Sequence, residues 1–257
     1  MLAFISPAKT MTLTPVLSID DSMLTQPVFT EATMPLATCL LQYSVEELQA
    51  IYQISYSLAM QLYGWIRVWH DPQVAGVAAI AAYDGVVFKQ MEIERASSMA
   101  LLYLQKHVRI ASLLYGLLRP LDRIKPYRME PKLRFEVTND QRVDSYWRTI
   151  QTAYFIETIQ SEGGVLLYLA SKEEQLAFDW KAVKKQVNVI DFQFLQYKED
   201  KLRTVTIYAK QARGQLIRYM MEHAITDYKL LQEFEWEGFV FSPAHSTEEQ
   251  FVYIQGI

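Results

Sequence analysis

Short apolar runs, uninterrupted by any polar residue, constrain the fold of this chain more than any other feature. Residues 2–5 run directly into Ser6-Pro7, and residues 165–169 follow Gly163-Gly164. Apolar runs of strand length without alternation are typical of strands that are covered on both faces. They predict a buried first strand that leads into a loop and a second strand near the centre of a sheet.

Helical patterns alternate with these runs. Ser44 and Glu47 have the spacing of a capping box, and they precede a helix predicted for residues 45–69. Further helices are predicted for residues 92–106, 144–160 and 211–224, and further strands for residues 187–195, 204–209, 239–241 and 251–254. Residues 77–83 and 86–88 flank Asp84-Gly85, which predicts a hairpin or a sharp turn, and residues 108–118 fit either helix or strand. Residues 12–36 predict a long surface connection.

The chain as a whole predicts one mixed α/β (α+β) domain over residues 1–257. A chain of this length can bury a hydrophobic core that needs no disulfide or structural metal. A single cysteine, Cys39, excludes a disulfide framework and favours a reducing compartment. Neither a membrane-spanning run nor a signal peptide is found, so a cytoplasmic protein is expected. The four histidines stand apart without metal-ligand spacing, so no metal and no cofactor are expected.

Charge is unevenly distributed along the chain. The formal net charge is -4, yet residues 101–134 hold eight Lys and Arg against two acids, and residues 201–218 hold five and no acid. If the fold brings these segments onto one face, they form a positive cleft in an acidic body; if it spreads them, they are ordinary solvated surface. We expect one shared face.

The motif Ser6-Pro7-Ala8-Lys9-Thr10 directly follows the first predicted strand. Open α/β sheets commonly bind ligands at this position, although the glycines of a phosphate loop are absent. Two interpretations stay open: Lys9 binds an anion, or the motif is a turn with Lys9 in solvent.

A second motif contains Lys210, Arg213 and Gly214, at the predicted change from strand 204–209 to helix 211–224. The free amides and positive dipole at a helix start attract anions, so we expect a bound anion there. An internal carboxylate such as Glu173 or Glu222 is the alternative partner for these cations.

A third segment, residues 115–128, combines turn residues with cations, among them Gly116, Arg119 and Arg128. Backbone amides beside a glycine, flanked by arginines, suit contact with a nucleic-acid backbone. A tight turn with Tyr115 and Tyr127 in the core explains the same residues equally well.

At these segments the chain resembles the YaaA family of bacterial peroxide-stress proteins. The resemblance extends nearly end to end, and its motifs are 5–10, 114–122, 126–130, 169–173, 208–214 and 237–239. It implies a one-domain α/β fold of unusual topology, a positive cleft, a helix-hairpin-helix-like element and binding to duplex or branched DNA. It also implies a role against peroxide damage, associated with intracellular iron limitation and DNA repair.

Five positions depart from the family pattern. Residues 85–88 read Gly-Val-Val-Phe where the family usually has Gly-Asp-Val-Tyr, Leu113 and Pro131 replace glycines, and Gln211 replaces a lysine. These changes imply weaker binding than in relatives that keep the pattern.

Two functions compete at this point. The leading hypothesis is a DNA-binding protein without sequence specificity, whose phosphate contacts come from Lys9, Gly116, Arg119, Arg128, Lys210, Arg213 and Gly214. The alternative is an enzyme acting on a phosphate-bearing small molecule in the same cleft, with Glu130 or Glu173 as its base.

Overall fold

A computed structural model describes residues 1–15, 17, 19–199 and 201–256. Nine α-helices lie in these residues: α1 Thr30–Cys39, α2 Val45–Tyr52, α3 Tyr56–His70, α4 Ala79–Ala82, α5 Val86–Gln90, α6 Ser98–His107, α7 Val143–Ser161, α8 Trp180–Gln186 and α9 Thr206–Glu222. The same residues form ten strands: β1 Leu2–Ile5, β2 Val77–Ala78, β3 Val108–Ser112, β4 Gly116–Leu118, β5 Arg123–Ile124, β6 Val165–Tyr168, β7 Asn188–Lys198, β8 Lys201–Arg203, β9 Phe239–Phe241 and β10 Gln250–Gln255.

The main sheet has the strand order β4-β3-β1-β6-β7-β10-β9, with β8 also paired to β7. Its five central strands, β3, β1, β6, β7 and β10, run parallel, and β4, β8 and β9 are antiparallel additions. This arrangement confirms the predicted mixed α/β class. The predicted buried strands at residues 2–5 and 165–169 are confirmed as adjacent central strands.

Four of the described helices form two groups against this sheet. Helices α6 and α9 contact each other and pack on β1, β3 and β7, whereas α7 and α8 contact each other and α7 packs on β4 and β6. Helices on both faces explain why β1 is buried along its whole length. In the residues that the structure describes, no helix is long and apolar enough to cross a membrane.

Local signals decide where several helices begin and end. The capping box at Ser44 and Glu47 is present, with the Ser44 amide donating to the Glu47 carboxylate at 2.7 Å. The helix predicted for residues 45–69 is nevertheless two helices, because Gln53 takes a left-handed conformation (φ 53°) that ends α2. Ser55 then caps α3.

Other predicted elements are wrong. Residues 77–83 and 86–88 form β2 and the short helices α4 and α5 instead of a hairpin, since the alanine-rich run 78–82 favours a helix. Residues 204–209 are not a strand: β8 ends at Arg203 and α9 begins at Thr206. The connection 12–36 contains the start of α1, and its Val16 and Ser18 lie outside the described residues.

The ambiguous segment 108–118 forms a β-hairpin of β3 and β4. Its turn is held by Ser112, whose hydroxyl accepts from the amides of Leu114 and Tyr115 at 3.3 and 2.9 Å. Helices α2 and α3 are joined by residues 53–55 and pack on each other.

Candidate functional site

The loops that follow β1 and β6 meet at one edge of the sheet. The two strands are parallel neighbours, so both loops leave at the carboxyl edge, where α/β sheets place ligand sites. The Ser171 amide donates to Ser6 Oγ at 2.8 Å, and the Leu169 amide donates to the Phe4 carbonyl at 3.0 Å. These bonds fix the loop that carries Lys9 against the segment 170–174.

Two concave surfaces lie on either side of the segment 170–174. The first, which we call the basic groove, has a volume of 430 Å³, and its lining includes Tyr168, Ser171, Lys172, Asp191, Lys210 and Arg213. The second, which we call the glutamate pocket, has a volume of 150 Å³, and its lining includes Lys9, Tyr127, Arg128, Glu130, Glu173 and Glu174. The predicted cations of the carboxyl edge therefore lie near one another, but in two separate concavities.

Arg213 is the least satisfied cation of the basic groove. Its side chain is half-buried, and within the described part of the chain it makes neither a hydrogen bond nor an ion pair. Burial lowers the pKa of Arg213, and the neighbouring Tyr168 and Asp191 oppose this effect. A desolvated guanidinium without a partner is costly, so the groove is suited to an incoming anion.

Lys172 and Lys210 add two exposed ammonium groups to the same groove. Among the described residues neither makes an ion pair within 4.0 Å. Asp191 is the carboxylate of the groove lining, so cations outnumber acids there by three to one. The groove is a local positive site on a chain whose net charge is -4.

The predicted position of Lys210 and Arg213 at the start of a helix is wrong. Because α9 begins at Thr206, these residues lie in the second and third turns of the helix and not at its free amides. The dipole argument therefore does not apply to them. Their spacing of three residues places both side chains on one helical face, which is the face that borders the groove.

In the glutamate pocket, Glu130 neutralises the two predicted cations. Its Oε1 lies 2.8 Å from Arg128 Nη2 and 3.7 Å from Lys9 Nζ. Glu173, the other predicted base, lines the same pocket. The two candidate carboxylates are thus brought together, and Glu130 is held as part of an ion-pair cluster.

Glu174 is the unusual carboxyl group of this pocket. Burial raises its pKa to about 7, and the hydroxyls of Ser6 and Ser171 limit the increase by hydrogen bonding to it. Near neutral pH the side chain is therefore divided between a form that donates a proton and a form that only accepts. The sequence shows Glu174 simply as one scattered acid, because its burial depends on the meeting of the β1 and β6 loops.

Arg119 does not reach either concavity. Its guanidinium donates to Asp122 Oδ1 from Nε at 3.0 Å and from Nη2 at 2.8 Å, and Nη2 also donates to the Gln26 carbonyl at 2.8 Å. Asp122 is fully buried. The expectation that Arg119 lines the cleft is wrong, because this side chain joins the β4–β5 turn to the loop before α1.

Several other cations of the two basic segments are also engaged by groups of the protein itself. The Arg109 guanidinium donates to carbonyls at the end of α6, and Lys125 Nζ donates to three carbonyls at the end of α3. Arg123 and Arg218 are paired with carboxylates. None of these four residues lines the basic groove or the glutamate pocket, so they add no free charge to either.

Gly116 is a packing residue in this structure. It is buried with φ +74°, and a Cβ there would lie 2.7 Å from the Trp147 ring and 3.0 Å from Phe29. The covering rings separate this backbone from solvent. A contact between the Gly116 amide and a phosphate is accordingly not supported.

Gly214 is likewise explained by packing, since it lets α9 approach α5. A Cβ at this position would overlap the Val87 carbonyl oxygen and lie 2.6 Å from Gln90 Cβ. The glycine therefore positions the helix that carries Lys210 and Arg213.

Gly214→Ala is expected to lower the free energy of unfolding by about 1–3 kcal/mol, because the two helix backbones must move apart. Gly64→Ala is the matched control: it lies on an exposed face of α3 with nothing within 4 Å, and it should stabilise the protein by up to about 1 kcal/mol. Urea unfolding measures both. Equal effects of the two substitutions would contradict the packing role.

Lys172 and Asp191 are site residues that sequence reasoning missed. Lys172 follows β6 in the same way that Lys9 follows β1, so its position after a buried strand was an available signal. Asp191 lies within β7, and only the pairing of β7 with β6 places it beside Tyr168.

Sequence comparison with known proteins identifies the family of this chain. The family profile described as "Peroxide stress protein YaaA" matches residues 1–245. This chain belongs to that family. A UPF0246 protein of Bacteroides fragilis is 38% identical over 256 residues, covering 100% of this chain and 99% of the relative. Another from Rickettsia rickettsii is 34% identical over 256 residues, covering 99% and 100%.

Membership of the YaaA family supports a role in the peroxide stress response. The match covers 99% of the first relative and 100% of the second, so the similarity extends over the whole domain.

Proposed function

We propose that this protein binds duplex or branched DNA without sequence specificity, in the cytoplasm, as part of the peroxide stress response. The observation that carries the proposal is Arg213, a half-buried guanidinium that has no partner in the described residues and lines an open groove. Lys172 and Lys210 border the same groove. A phosphate oxygen pair is a natural partner for the planar fork of an arginine.

The chemistry of the groove favours the DNA backbone over base edges. Three flexible or forked cations neutralise phosphates, and phosphate contacts position a nucleic acid without reading its sequence. Lys9 and Arg128 lie beyond the segment 170–174 and are held by Glu130, so their contribution is secondary.

The helix-hairpin-helix-like element, the association with iron limitation and the association with DNA repair are part of the same proposal. Helices α2 and α3 with their three-residue connection are the pair that would serve as the helix-hairpin-helix-like element. Iron limitation and DNA repair would be linked to this protein through the DNA that it binds.

The test is the affinity of a fluorescein-labelled duplex, measured by anisotropy. Arg213→Ala should weaken binding by at least about tenfold, and to the same extent for duplexes of unrelated sequence, since a charged hydrogen bond contributes about 1.5–3 kcal/mol. Lys184→Ala and Lys229→Ala remove exposed cations outside the groove and should change the affinity less than twofold.

Arg213→Lys distinguishes the effect of the positive charge from the effect of the bidentate guanidinium. It should recover part of the affinity, because the charge returns without the bidentate fork. Unchanged DNA affinity in folded Arg213→Ala would refute the proposal. If inorganic pyrophosphate bound tightly in the groove while DNA did not bind, the alternative of an enzyme for a phosphate-bearing small molecule would replace it.

A further inference from the structure

The glutamate pocket has the size and lining of a site for one flat polar ring. Its volume of 150 Å³ lies below the range of drug-sized pockets, so it suits a small ring better than a large ligand. Leu113, Met129 and the Tyr127 ring supply apolar walls, and Glu130, Glu173 and Glu174 supply carboxyl groups.

The hydrogen-bonding groups of the pocket define its ligand more closely. Glu130 is engaged by Lys9 and Arg128, whereas Glu174 makes no ion pair with a described residue, and a carboxyl group can accept several hydrogen bonds. A carboxyl group pairs with an amino group next to a ring nitrogen, as glutamate does with the amino group of cytosine. Adenine, cytosine and guanine carry such an amino group and thymine lacks one.

The pocket and the basic groove share one short segment of backbone. Ser171 and Lys172 line the groove, and Glu173 and Glu174, the next two residues, line the pocket. A strand whose phosphates lie along Lys172 and Arg213 therefore has its bases within reach of the pocket. A base inside a duplex cannot enter so narrow a space unless it leaves the stack.

We propose that the glutamate pocket binds a single unpaired nucleobase that carries an amino group, with Glu174 as its hydrogen-bonding partner. This inference rests on the proposed DNA binding and adds a preference for unpaired sites. Extruded bases are recognised by hydrogen bonds to their Watson–Crick edge and by stacking between aromatic or apolar side chains, and Glu174, Tyr127 and Leu113 line the pocket.

The test compares duplexes with one bulged cytosine, one bulged thymine and no bulge. The cytosine bulge should bind at least about tenfold more tightly than the paired duplex, and the thymine bulge should gain much less. Leu113→Trp, which fills the pocket from a half-buried position on its rim, should abolish the preference and leave the paired duplex unaffected.

The pH dependence provides an independent readout. Protonated Glu174 can accept from the amino group of cytosine and donate to its ring nitrogen, whereas ionised Glu174 can accept from the two donors of guanine. The preference for cytosine should therefore fall, and the preference for guanine should rise, between pH 6 and pH 8. Lys9, Tyr127, Arg128, Glu130 and Glu173 also face this pocket. Glu174→Gln removes the titrating carboxyl group and should flatten both profiles.

The outcomes separate this inference from the proposed function. If all duplexes bind equally and remain sensitive to Arg213→Ala, the nucleobase site is refuted and DNA binding stands. If no duplex binds, the proposed function fails, and titration with free cytidine and guanosine then tests the nucleobase site by itself. Nucleoside binding that is lost in Leu113→Trp supports the site, and the absence of nucleoside binding refutes it.

Discussion

Replacing Asp122 with alanine is expected to lower the free energy of unfolding by about 3–5 kcal/mol, the range for removing one partner of a buried ion pair. The carboxylate is fully buried and accepts from the Arg119 amide, the Arg119 guanidinium and Thr25 Oγ1, the last at 2.6 Å. Arg119 retains some contact with water, which places the expected loss near the lower end. Urea unfolding at neutral pH measures it.

Asp21→Ala is the matched control for this prediction. Asp21 pairs with Arg123 at 3.1 Å, but its side chain is 83% exposed, so the loss should stay below about 1 kcal/mol. Arg119→Ala should leave the DNA affinity of the folded protein unchanged. Equal losses for Asp21→Ala and Asp122→Ala would contradict the stabilising role of the buried pair, and a DNA defect in folded Arg119→Ala would show that Arg119 also contributes to binding.

Glu174 is expected to make the protein less stable as the pH rises from about 4.5 to about 7. In this interval the folded protein keeps the proton on Glu174 while the unfolded chain has lost it, so raising the pH favours unfolding. Above about pH 7 the effect is complete. It amounts to at most about 3 kcal/mol, from 1.36 kcal/mol per pH unit.

Glu174→Gln removes this penalty because an amide does not ionise. The variant should be more stable than the wild type at pH 8 by up to about 3 kcal/mol, and the difference should vanish near pH 4. Glu173→Gln alters the exposed neighbour and should shift the stability by less than about 0.5 kcal/mol. Thermal unfolding over this pH range measures all three proteins, and parallel pH profiles for wild type and Glu174→Gln would contradict the buried-carboxyl account.

Elements with strong local signals were predictable from the sequence. The continuous apolar runs became β1 and β6, the serine and glutamate at positions 44 and 47 became a capping box, and α7 was expected within a residue at each end. In each case the local pattern and the tertiary environment favour the same structure. The predictions for the short segments 77–88 and 204–209 were wrong because brief apolar stretches fit helix and strand alike.

The candidate site was only partly predictable because charge in a sequence does not reveal its partners. Lys210 and Arg213 do border one groove, but for a reason unrelated to a helix start. Arg119 looks equally suited to a phosphate in the sequence, yet a buried aspartate three residues away engages it. Glu174 is buried because two loops that are distant in the chain meet at Ser6 and Ser171, and its sequence neighbours do not show this.

The salt dependence of DNA binding tests the central claim, that the basic groove holds the DNA backbone. Three groove cations on three phosphates predict that log K falls against log salt with a slope of roughly -2.7. Removing two of them in Lys210→Ala/Arg213→Ala should reduce the slope to roughly -0.9, whereas Lys184→Ala/Lys229→Ala should leave it unchanged. A slope that is the same in all three proteins would contradict the account.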